Sequence, residues 1–250
     1  MSVPEIHLLN LDRSRTRLQR FWDRNRHLDN VVRVPAVDGA KIDRVQMINA
    51  GYITPDFECG AGSLGCAISH IELWRQAMRE NRALTIFEDD VVVANHFATA
   101  AARVMSDLST DWDMVKWGFT GSLTAWLDIA LSRAKVHWEW ASTRRDATSL
   151  AAFQSANAPA APIRMLQSYG LFAYSISPKG ARAALDYCLP LRKREIELPD
   201  ASTVETRGID TTLSGAFPKL QTFICLPNLV IHADEGESDR MNLDRTGSSK

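Results

Sequence analysis

Residues 5–11 read EIHLLNL, and residues 31–39 read VVRVPAVDG. The first stretch is short and apolar enough for a buried strand, and the second is a β-branched run that stops at an Asp-Gly turn. Between them, Ser14 is suited to cap a helix whose apolar residues recur at helical spacing up to residue 27. Strand–helix–strand is the unit from which parallel sheets are built, so this opening predicts an α/β fold.

The alternation of strands and helices continues beyond this unit. A helix with Ala67, Ile71 and Trp74 on one apolar face is predicted after a glycine-rich loop over residues 51–65. Further strands are predicted at 83–87, 113–118, 169–176 and 221–226, and further helices at 41–50, 95–108, from Ser177-Pro178 onwards and near 209–213. No repeat or domain boundary interrupts the pattern, so we predict one domain over residues 1–250.

Composition and charge exclude one class of partner. The 250 residues carry 29 basic and 30 acidic side chains, a formal net charge of -1. A protein that coats a nucleic-acid polymer needs an excess of Lys and Arg to displace counterions from phosphate, so no such partner is expected. The hydrophobic content of 45% is that of an ordinary globular chain.

The cysteines and the apolar runs bear on location. Cys59, Cys66, Cys188 and Cys225 form no CxxC pair and no paired metal-ligand spacing, which favours reduced thiols in a reducing compartment. No stretch reaches the roughly 18 apolar residues of a membrane-spanning helix, and the first residues lack the pattern of a signal peptide. We expect a cytoplasmic protein, soluble or peripheral on the inner face of the membrane.

Two regions give mixed signals. Residues 119–165 combine tryptophans, basic residues and an Ala/Pro-rich stretch, and we interpret them as a variable insertion or a mobile cover. Residues 235–250 are polar and are expected to form a mobile tail.

The acidic tripeptide Glu88-Asp89-Asp90 is the strongest chemical signal. It follows the apolar strand at 83–87 and places three like charges side by side, which is unfavourable without a nearby cation. Carboxylate oxygens are the preferred ligands of hard divalent cations, and ligands of open α/β sheets gather at the carboxyl ends of strands. The tripeptide therefore predicts a metal site. The alternative is a solvated acidic turn that caps the next helix.

Five segments, in this order, resemble glycosyltransferase family 25, which contains lipooligosaccharide-type galactosyltransferases and collagen-modifying relatives. They are IHLLNLDRS at 6–14 with Arg17, PAVDG at 35–39, GSLGCAISH at 62–70 with Trp74 and Ala77, ALTIFEDD at 83–90, and YGLFAYSISPKGA at 169–181. Together they cover about residues 5–118 and 168–190, and the middle and the tail of the chain match poorly.

The resemblance implies a fold and a reaction. The fold is a GT-A-like, Rossmann-type nucleotide-sugar-binding domain with a mostly parallel central sheet and helices on both faces. The reaction is an inverting transfer of a hexose, expected to be galactose from UDP-galactose, with Mn²⁺ or Mg²⁺ as cofactor. The acceptor would be a saccharide such as a lipopolysaccharide, lipooligosaccharide or capsule precursor.

The resemblance also implies metal ligands. Glu88 and Asp90 correspond to the outer carboxylates of the family's acidic signature, and Asp89 would contact the sugar or the ribose. His232, after the apolar run 226–231, is a candidate late ligand because GT-A enzymes often supply a histidine to the metal from this part of the chain. The alternative for His232 is an exposed or core-bonded histidine, and spacing does not settle which carboxylate contacts the metal.

Donor-binding candidates follow the first two strands and lie on the central helix. Residues after the first strand are expected to bind uridine and pyrophosphate, Asp38 is a ribose or base candidate, and the helix supplies two polar groups. The candidates are Asn10, Asp12, Arg13, Arg17, Asp38, Ser69 and His70. Their alternatives are a polar helix start with a solvated face for the first four, and a buried hydrogen-bonding residue for His70.

Inversion needs a general base that deprotonates the acceptor hydroxyl. Asp210 is our candidate, because it opens a short helix after a long loop and matches a late acidic position of the family. Glu205 and Asp200 are reserves. The alternative for Asp210 is helix N-capping.

Aromatic and basic residues suggest acceptor contacts. Trp117, Trp126, Trp138 and Trp140 either stack on sugars or belong to the core. The clusters Arg144-Arg145 and Arg192-Lys193-Arg194 either dock on anionic lipid or phosphorylated saccharide, or are solvated loops.

Two other functions use the same features. A catalytically silent saccharide- or nucleotide-binding module would retain the fold, but the intact acidic tripeptide argues against it. A metal-dependent phosphohydrolase would need a second ligand cluster, which the sequence lacks.

Overall fold

A computed structural model describes residues 5–118, 124–137 and 146–233 of the chain. Trp138, Trp140 and Arg144-Arg145 lie outside the described residues, as does the predicted tail over 235–250. The predictions for these positions therefore stay predictions.

Strands and helices alternate through most of the described chain. The strands are β1 (Ile6–Asn10), β2 (Val31–Pro35), β3 (Leu84–Glu88), β4 (Val91–Val93), β5 (Met114–Lys116), β6 (Thr124–Ile129), β7 (Ser132–His137), β8 (Ala161–Gln167), β9 (Ala173–Ile176), β10 (Glu195–Glu197), β11 (Thr203–Glu205), β12 (Thr222–Leu226) and β13 (Val230–His232). The helices are α1 (Arg15–Arg24), α2 (Arg44–Asn49), α3 (Ala61–Glu80), α4 (Phe97–Asp107), α5 (Ala147–Ser155), α6 (Pro178–Cys188) and α7 (Ile209–Ser214). Within the described ranges, none of these helices is both long and apolar enough to cross a bilayer.

A nine-stranded sheet with the order β2-β1-β3-β9-β5-β12-β8-β6-β7 forms the centre of the molecule. The pairs β1–β2, β1–β3 and β5–β12 are parallel, and β9 runs antiparallel between β3 and β5. The far edge, β8-β6-β7, is antiparallel. The opening strand–helix–strand unit is confirmed, and the complete sheet is mixed.

Helices cover both faces of this sheet, as predicted. Leu9 and Ile86 belong to a core shared with α3, α6 and α7. Leu8 and Phe87 belong to a second core, shared with α1 and α4. Neighbouring residues of one strand point to opposite faces, so β1 and β3 contribute to both cores and are held from both sides. The predicted α/β class is confirmed.

Helix α3 begins earlier than the sequence suggested. The loop predicted over 51–65 ends at Gly60, and the helix starts at Ala61. Its first turns pack against the segment after β2, where a Cβ on Gly65 would lie 2.5 Å from the carbonyl oxygen of Val37 and one on Gly39 would lie 1.7 Å from that of Ala61. Glycines that indicated a loop in the sequence are therefore needed for close backbone packing.

The strands within residues 119–165 add to the sheet. Strands β6, β7 and β8 extend one edge of it. Helix α5 lies against β4, where Leu150 and Phe153 pack on Val92 and Ile231. The region thus combines sheet edge with surface helix.

Strand polarity brings the functional segments together. The parallel strands β1, β2, β3 and β5 end at one edge of the sheet. Because β9 runs the other way, the residues that precede it, 170–172, reach the same edge. The predicted site residues after β1 and β3 therefore meet there.

Candidate active site

A cavity of about 330 Å³ opens at the carboxyl edge of the parallel strands. Ligands of open α/β sheets bind at this position. The predicted site residues that line it are Asn10, Arg13, Arg17, Ser69, His70, Glu88, Asp89, Asp90, Asp210 and His232. Asp12 and Asp38 do not line it. The fold thus gathers residues that lie more than 200 positions apart in the sequence.

Asp89 is held by the segment after β1. Its carboxylate accepts hydrogen bonds from Asn10 Nδ2 at 2.6 Å and from Arg17 Nη2, and only 6% of the residue is exposed. Burial raises the pKa of Asp89 to about 6, although Arg17 and Asn10 act to lower it. Asp89 therefore takes up a proton, and loses the negative charge of its ion pair with Arg17, as the pH falls through about 6.

Replacing Asp89 by asparagine should change how stability depends on pH. Between about pH 4 and pH 6 the native Asp89 binds a proton that the unfolded chain has released, so its contribution to stability falls as pH rises through this range. The free energy of unfolding of the wild type should fall relative to Asp89→Asn by up to about 3 kcal/mol between pH 4 and pH 7. Urea titrations at both pH values measure this difference, and parallel pH profiles would contradict it.

Asp90 lies between Arg17 and His232. Its Oδ2 is 2.8 Å from Arg17 Nη2 and 3.0 Å from His232 Nε2. Burial alone would raise the pKa of Asp90, but the hydrogen bond and charge of His232, together with Arg17, hold it below its ordinary value. The second oxygen, Oδ1, is buried and makes no hydrogen bond.

His232 reaches Asp90 through a strand pairing. In the two-stranded sheet of β4 and β13, His232 lies opposite Val91, and the backbone N–H of Ala233 donates to the carbonyl of Asp90 at 2.7 Å. The imidazole is about one-quarter exposed and packs edge-on against Phe172. It is therefore neither fully exposed nor bonded within the core.

Arg17 changes the charge argument made from the sequence. One guanidinium nitrogen bonds both Asp89 and Asp90, so a side chain of α1 offsets part of the repulsion within the acidic tripeptide. The repulsion from which the sequence analysis predicted a metal ion is thus partly offset within the chain itself. The unbonded Oδ1 of Asp90 is the acceptor that remains for a ligand.

Glu88 faces His70 on α3, whereas Asp90 contacts Arg17 and His232. Its Oε1 is 3.5 Å from His70 Nε2, and the other ring nitrogen of His70 is 2.9 Å from the hydroxyl of Tyr174, which also accepts from Trp74 Nε1 at 2.8 Å. His70 is fully buried, as its alternative interpretation expected, and it lines the cavity, and its Nε2 makes no hydrogen bond.

Cys66 is a cavity residue that the sequence analysis missed. Its sulfur, a ring nitrogen of His70 and a carboxylate oxygen of Glu88 all lie within 4.8 Å of one another. The sequence analysis considered only the spacing between cysteines. The available signal was that Cys66 and His70 are four residues apart and therefore share one helix face.

The residues around the end of β1 bond mainly to each other. Arg33, which the sequence analysis did not single out, donates to Asn10 Oδ1 at 2.9 Å and to Asp12 Oδ1 at 2.6 Å. Arg13 pairs with Asp38 at 2.5 Å, and Asp38 also accepts from the N–H of Ala40. Asp12 thus orients Arg33, and Asp38 orients Arg13 and the backbone at Ala40. Neither aspartate lines the cavity.

Ser69 links α3 to the segment after β2. Its hydroxyl donates to the carbonyl of Gly65 at 2.7 Å and accepts from the N–H of Val37 at 2.9 Å. With both bonds made and the residue 4% exposed, Ser69 positions the cavity wall.

Asp210 lies across the cavity on α7. The helix N-cap is Gly208, so Asp210 is not the N-cap that its alternative interpretation required. Its Oδ2 accepts from the N–H of Gly170 at 3.2 Å, and its Oδ1 is buried without a hydrogen bond. A carboxylate with a free acceptor oxygen at a cavity is equipped to take a proton.

Lys116 is a second group that the sequence analysis missed. It ends β5, is fully buried, and donates to Ser168 Oγ at 2.7 Å and to the carbonyl of Tyr169 at 2.6 Å. Burial lowers the pKa of Lys116 to about 7, against the opposing charge of Asp210. A lysine at the end of a buried strand was the available signal, because such residues are almost never fully buried without a partner.

The reserve bases and the acceptor candidates lie elsewhere. Glu205 pairs with Lys193 at 3.1 Å, Asp200 pairs with Lys135 at 2.9 Å, and neither lines the cavity. Trp117 is fully buried in the core, and Trp126 is half-buried beneath Lys135. Of the basic cluster at 192–194, the side chain of Arg194 stacks on Tyr187.

Comparison with known proteins gives one family. The sequence model of glycosyltransferase family 25 (LPS biosynthesis protein) matches residues 3–200. The matched range contains the acidic tripeptide, Cys66 and His70, and it ends before Asp210 and His232. The family match therefore does not bear on the assignments of these last two residues.

Relatives with curated names are similar over part of their length. Procollagen galactosyltransferase 1-A of Xenopus laevis is 28% identical over 131 residues, a glycosyltransferase 25 family member of Anopheles gambiae is 27% identical over 133, and "Probable inactive glycosyltransferase 25 family member 3" of Rattus norvegicus is 26% identical over 131. Each match covers 47% of this chain and 21–23% of the relative, so the chain spans about a fifth of these proteins. The crystal structure of A197 from STIV covers 89% of this chain and 81% of its own at 13% identity, with a TM-score of 0.36, too low to carry an argument.

Proposed function

Because the chain belongs to glycosyltransferase family 25, we propose that it transfers a hexose from a nucleotide-sugar donor to a saccharide acceptor, by inversion and with a divalent metal ion. We propose galactose from UDP-galactose as the donor sugar, and a lipopolysaccharide, lipooligosaccharide or capsule precursor as the acceptor. The observation that supports this proposal most is a single cavity that contains the acidic tripeptide at one wall and Asp210 at another.

The residues at the acidic wall fit Mn²⁺ or Mg²⁺. Asp90 Oδ1 is buried without a hydrogen bond, which is costly unless a ligand satisfies it. Carboxylate oxygen suits both ions, so Asp90 would hold the metal, with Glu88 as a further carboxylate. The neutral imidazole of His232, 3.0 Å from Asp90 Oδ2, would supply a nitrogen ligand. A bound divalent ion would offset the negative charge that grows on the departing nucleoside diphosphate.

The arginines of the first segment would receive the donor. Arg13 and Arg17 line the cavity, and each guanidinium can offer paired N–H groups to a phosphate. The resemblance implied that Asp89 contacts the sugar or the ribose. Its bonds to Asn10 and Arg17 place it better to hold Arg17 in position.

Asp210 would act as the general base. Its Oδ1 makes no hydrogen bond, so it can accept the proton of an acceptor hydroxyl as that oxygen attacks the sugar. The backbone N–H of Gly170 fixes the other oxygen and orients the carboxylate.

A silent binding module is the second candidate. One relative is named as a probable inactive family member, which is consistent with a family member that binds without catalysis. Such a module would bind nucleotide or saccharide in the same cavity without turnover. A cytoplasmic position at the membrane face, where lipid-linked glycans are extended, accompanies either proposal.

Thermal unfolding with UDP and Mn²⁺ tests the proposal. At ligand concentrations near 100 times the dissociation constant, binding adds about 2.7 kcal/mol of stability, which should raise Tm by roughly 5–10 °C for a chain of this size. EDTA should remove the shift. A panel of nucleotide sugars, assayed by release of nucleoside diphosphate, then identifies the donor. An EDTA-insensitive shift without turnover would favour the silent module, and no shift with any nucleotide would contradict the proposed transferase.

A further inference from the structure

Three side chains at the α3 wall converge on one point. Cys66 and His70 are one helical turn apart on α3, and Glu88 ends the neighbouring strand β3. Their candidate ligand atoms all lie within 4.8 Å of one another, and all three residues line the cavity. Sulfur, imidazole nitrogen and carboxylate oxygen are the donor types found at zinc sites.

The buried imidazole of His70 points to a ligand. Nδ1 lies 2.9 Å from the Tyr174 hydroxyl, which fixes the ring, while Nε2 is buried and makes no hydrogen bond. The Tyr174 hydroxyl accepts from Trp74 Nε1, and in the tautomer of His70 in which Nδ1 also donates to it, Nε2 carries a lone pair for a ligand. Metal-ligating histidines are held in this way by a hydrogen bond from their other nitrogen.

The observed spacing fits one tetrahedral ion. Oxygen and nitrogen ligands about 2.0–2.1 Å from zinc are roughly 3.3 Å apart, and sulfur at about 2.3 Å lies slightly further from either. His70 Nε2 and Glu88 Oε1 are 3.5 Å apart. The remaining separations are at most 4.8 Å, so a bound ion would have to draw these ligand atoms together by up to about 1.3 Å.

We propose that Cys66, His70 and Glu88 form a Zn²⁺ site in the cavity wall, distinct from the site at Asp90 and His232. A thiolate together with an imidazole favours zinc over the harder Mn²⁺ or Mg²⁺. Three protein ligands leave a fourth position open toward the cavity. Binding releases the Cys66 thiol proton to solvent and involves no change of oxidation state.

Zinc at this site would regulate the proposed reaction, and this part of the inference rests on the proposed function. Glu88 is the carboxylate that both sites would use. When Zn²⁺ holds it, Glu88 cannot support a hard metal beside Asp90. Zinc should therefore inhibit donor turnover in competition with Mn²⁺.

Metal binding can be measured without any activity. Co²⁺, used as a probe for zinc, should give a thiolate charge-transfer band in the near ultraviolet with the full chain. Zn²⁺ should displace it. Cys66→Ala should abolish the band and weaken Zn²⁺ binding at least tenfold in competition with a chromophoric chelator. Cys59→Ala removes another partly exposed cysteine, seven residues earlier, and should retain both signals.

A measurement on the unmodified chain keeps the test valid if Cys66→Ala folds poorly. Zn²⁺ should slow alkylation of Cys66, measured by mass spectrometry, and leave the alkylation of Cys59 unchanged. Equal Zn²⁺ affinity in Cys66→Ala and wild type, or unprotected Cys66, would overturn the zinc site. If zinc binding depends on Cys66 but UDP and Mn²⁺ give no stabilisation, the zinc site stands and the proposed transferase does not.

Discussion

Replacing Asp90 by alanine should lower metal-dependent donor turnover at least 100-fold, the size of effect seen when one group that stabilises transition-state charge is removed. Asp90 contacts both Arg17 and His232, and its Oδ1 is the buried acceptor without a partner at the acidic wall. Its loss removes the proposed metal ligand and leaves His232 without its carboxylate. Release of nucleoside diphosphate across a Mn²⁺ titration measures the effect.

Asp23→Ala is the matched control for this substitution. Asp23 is exposed and pairs with Arg26 on the surface of α1, where such a pair contributes little to stability. It should retain both turnover and the response to Mn²⁺. Circular dichroism and Tm of Asp90→Ala establish that the variant is folded. Normal Mn²⁺-dependent turnover by folded Asp90→Ala would refute the metal assignment.

Replacing Asp210 by asparagine should lower sugar transfer by about 100- to 10,000-fold, the range typical of a positioned general base. Asparagine keeps the shape of the side chain and can still accept from the N–H of Gly170, but it cannot take up a proton. Because the donor is proposed to bind at the opposite wall, the affinity for UDP with Mn²⁺ should change little. Transfer to acceptor and calorimetric UDP binding, measured on the same preparation, separate the two effects.

Asp186→Asn makes the same chemical change at an exposed position on α6 and should leave transfer unaltered. Unchanged transfer in Asp210→Asn would remove Asp210 as the base. The reserve candidates Asp200 and Glu205 lie outside the cavity and would not take its place.

The strands and helices that the sequence predicted correctly are those whose pattern, such as an apolar run, a turn pair or a helix cap, is contained within a few consecutive residues. The apolar run of β1, the Asp-Gly turn after β2 and the Ser177-Pro178 start of α6 each encode their structure locally, and Ser177 does accept from the N–H of Gly180. The cavity residues at the ends of β1 and β3 could be predicted because parallel strands end at one sheet edge.

Other features depended on neighbours far along the chain. The early start of α3 follows from the close approach of Gly65 to Val37, and the roles of Ser69 and Asp38 follow from contacts made outside their own elements. Arg17 was expected to bind phosphate, and its bonds to Asp89 and Asp90, 72 and 73 residues away, could not be read from its position on a helix.

The sequence by itself determined the strand and helix order and the acidic end of β3, because backbone propensity and apolar periodicity act over a few residues. Only the tertiary structure decided which carboxylate has which partner. It placed Asp90 with His232, Glu88 with His70 and Cys66, and Lys116 near Asp210. Electrostatic and hydrogen-bonding energies depend on distances of a few ångströms and on burial, and packing fixes both after the chain has folded.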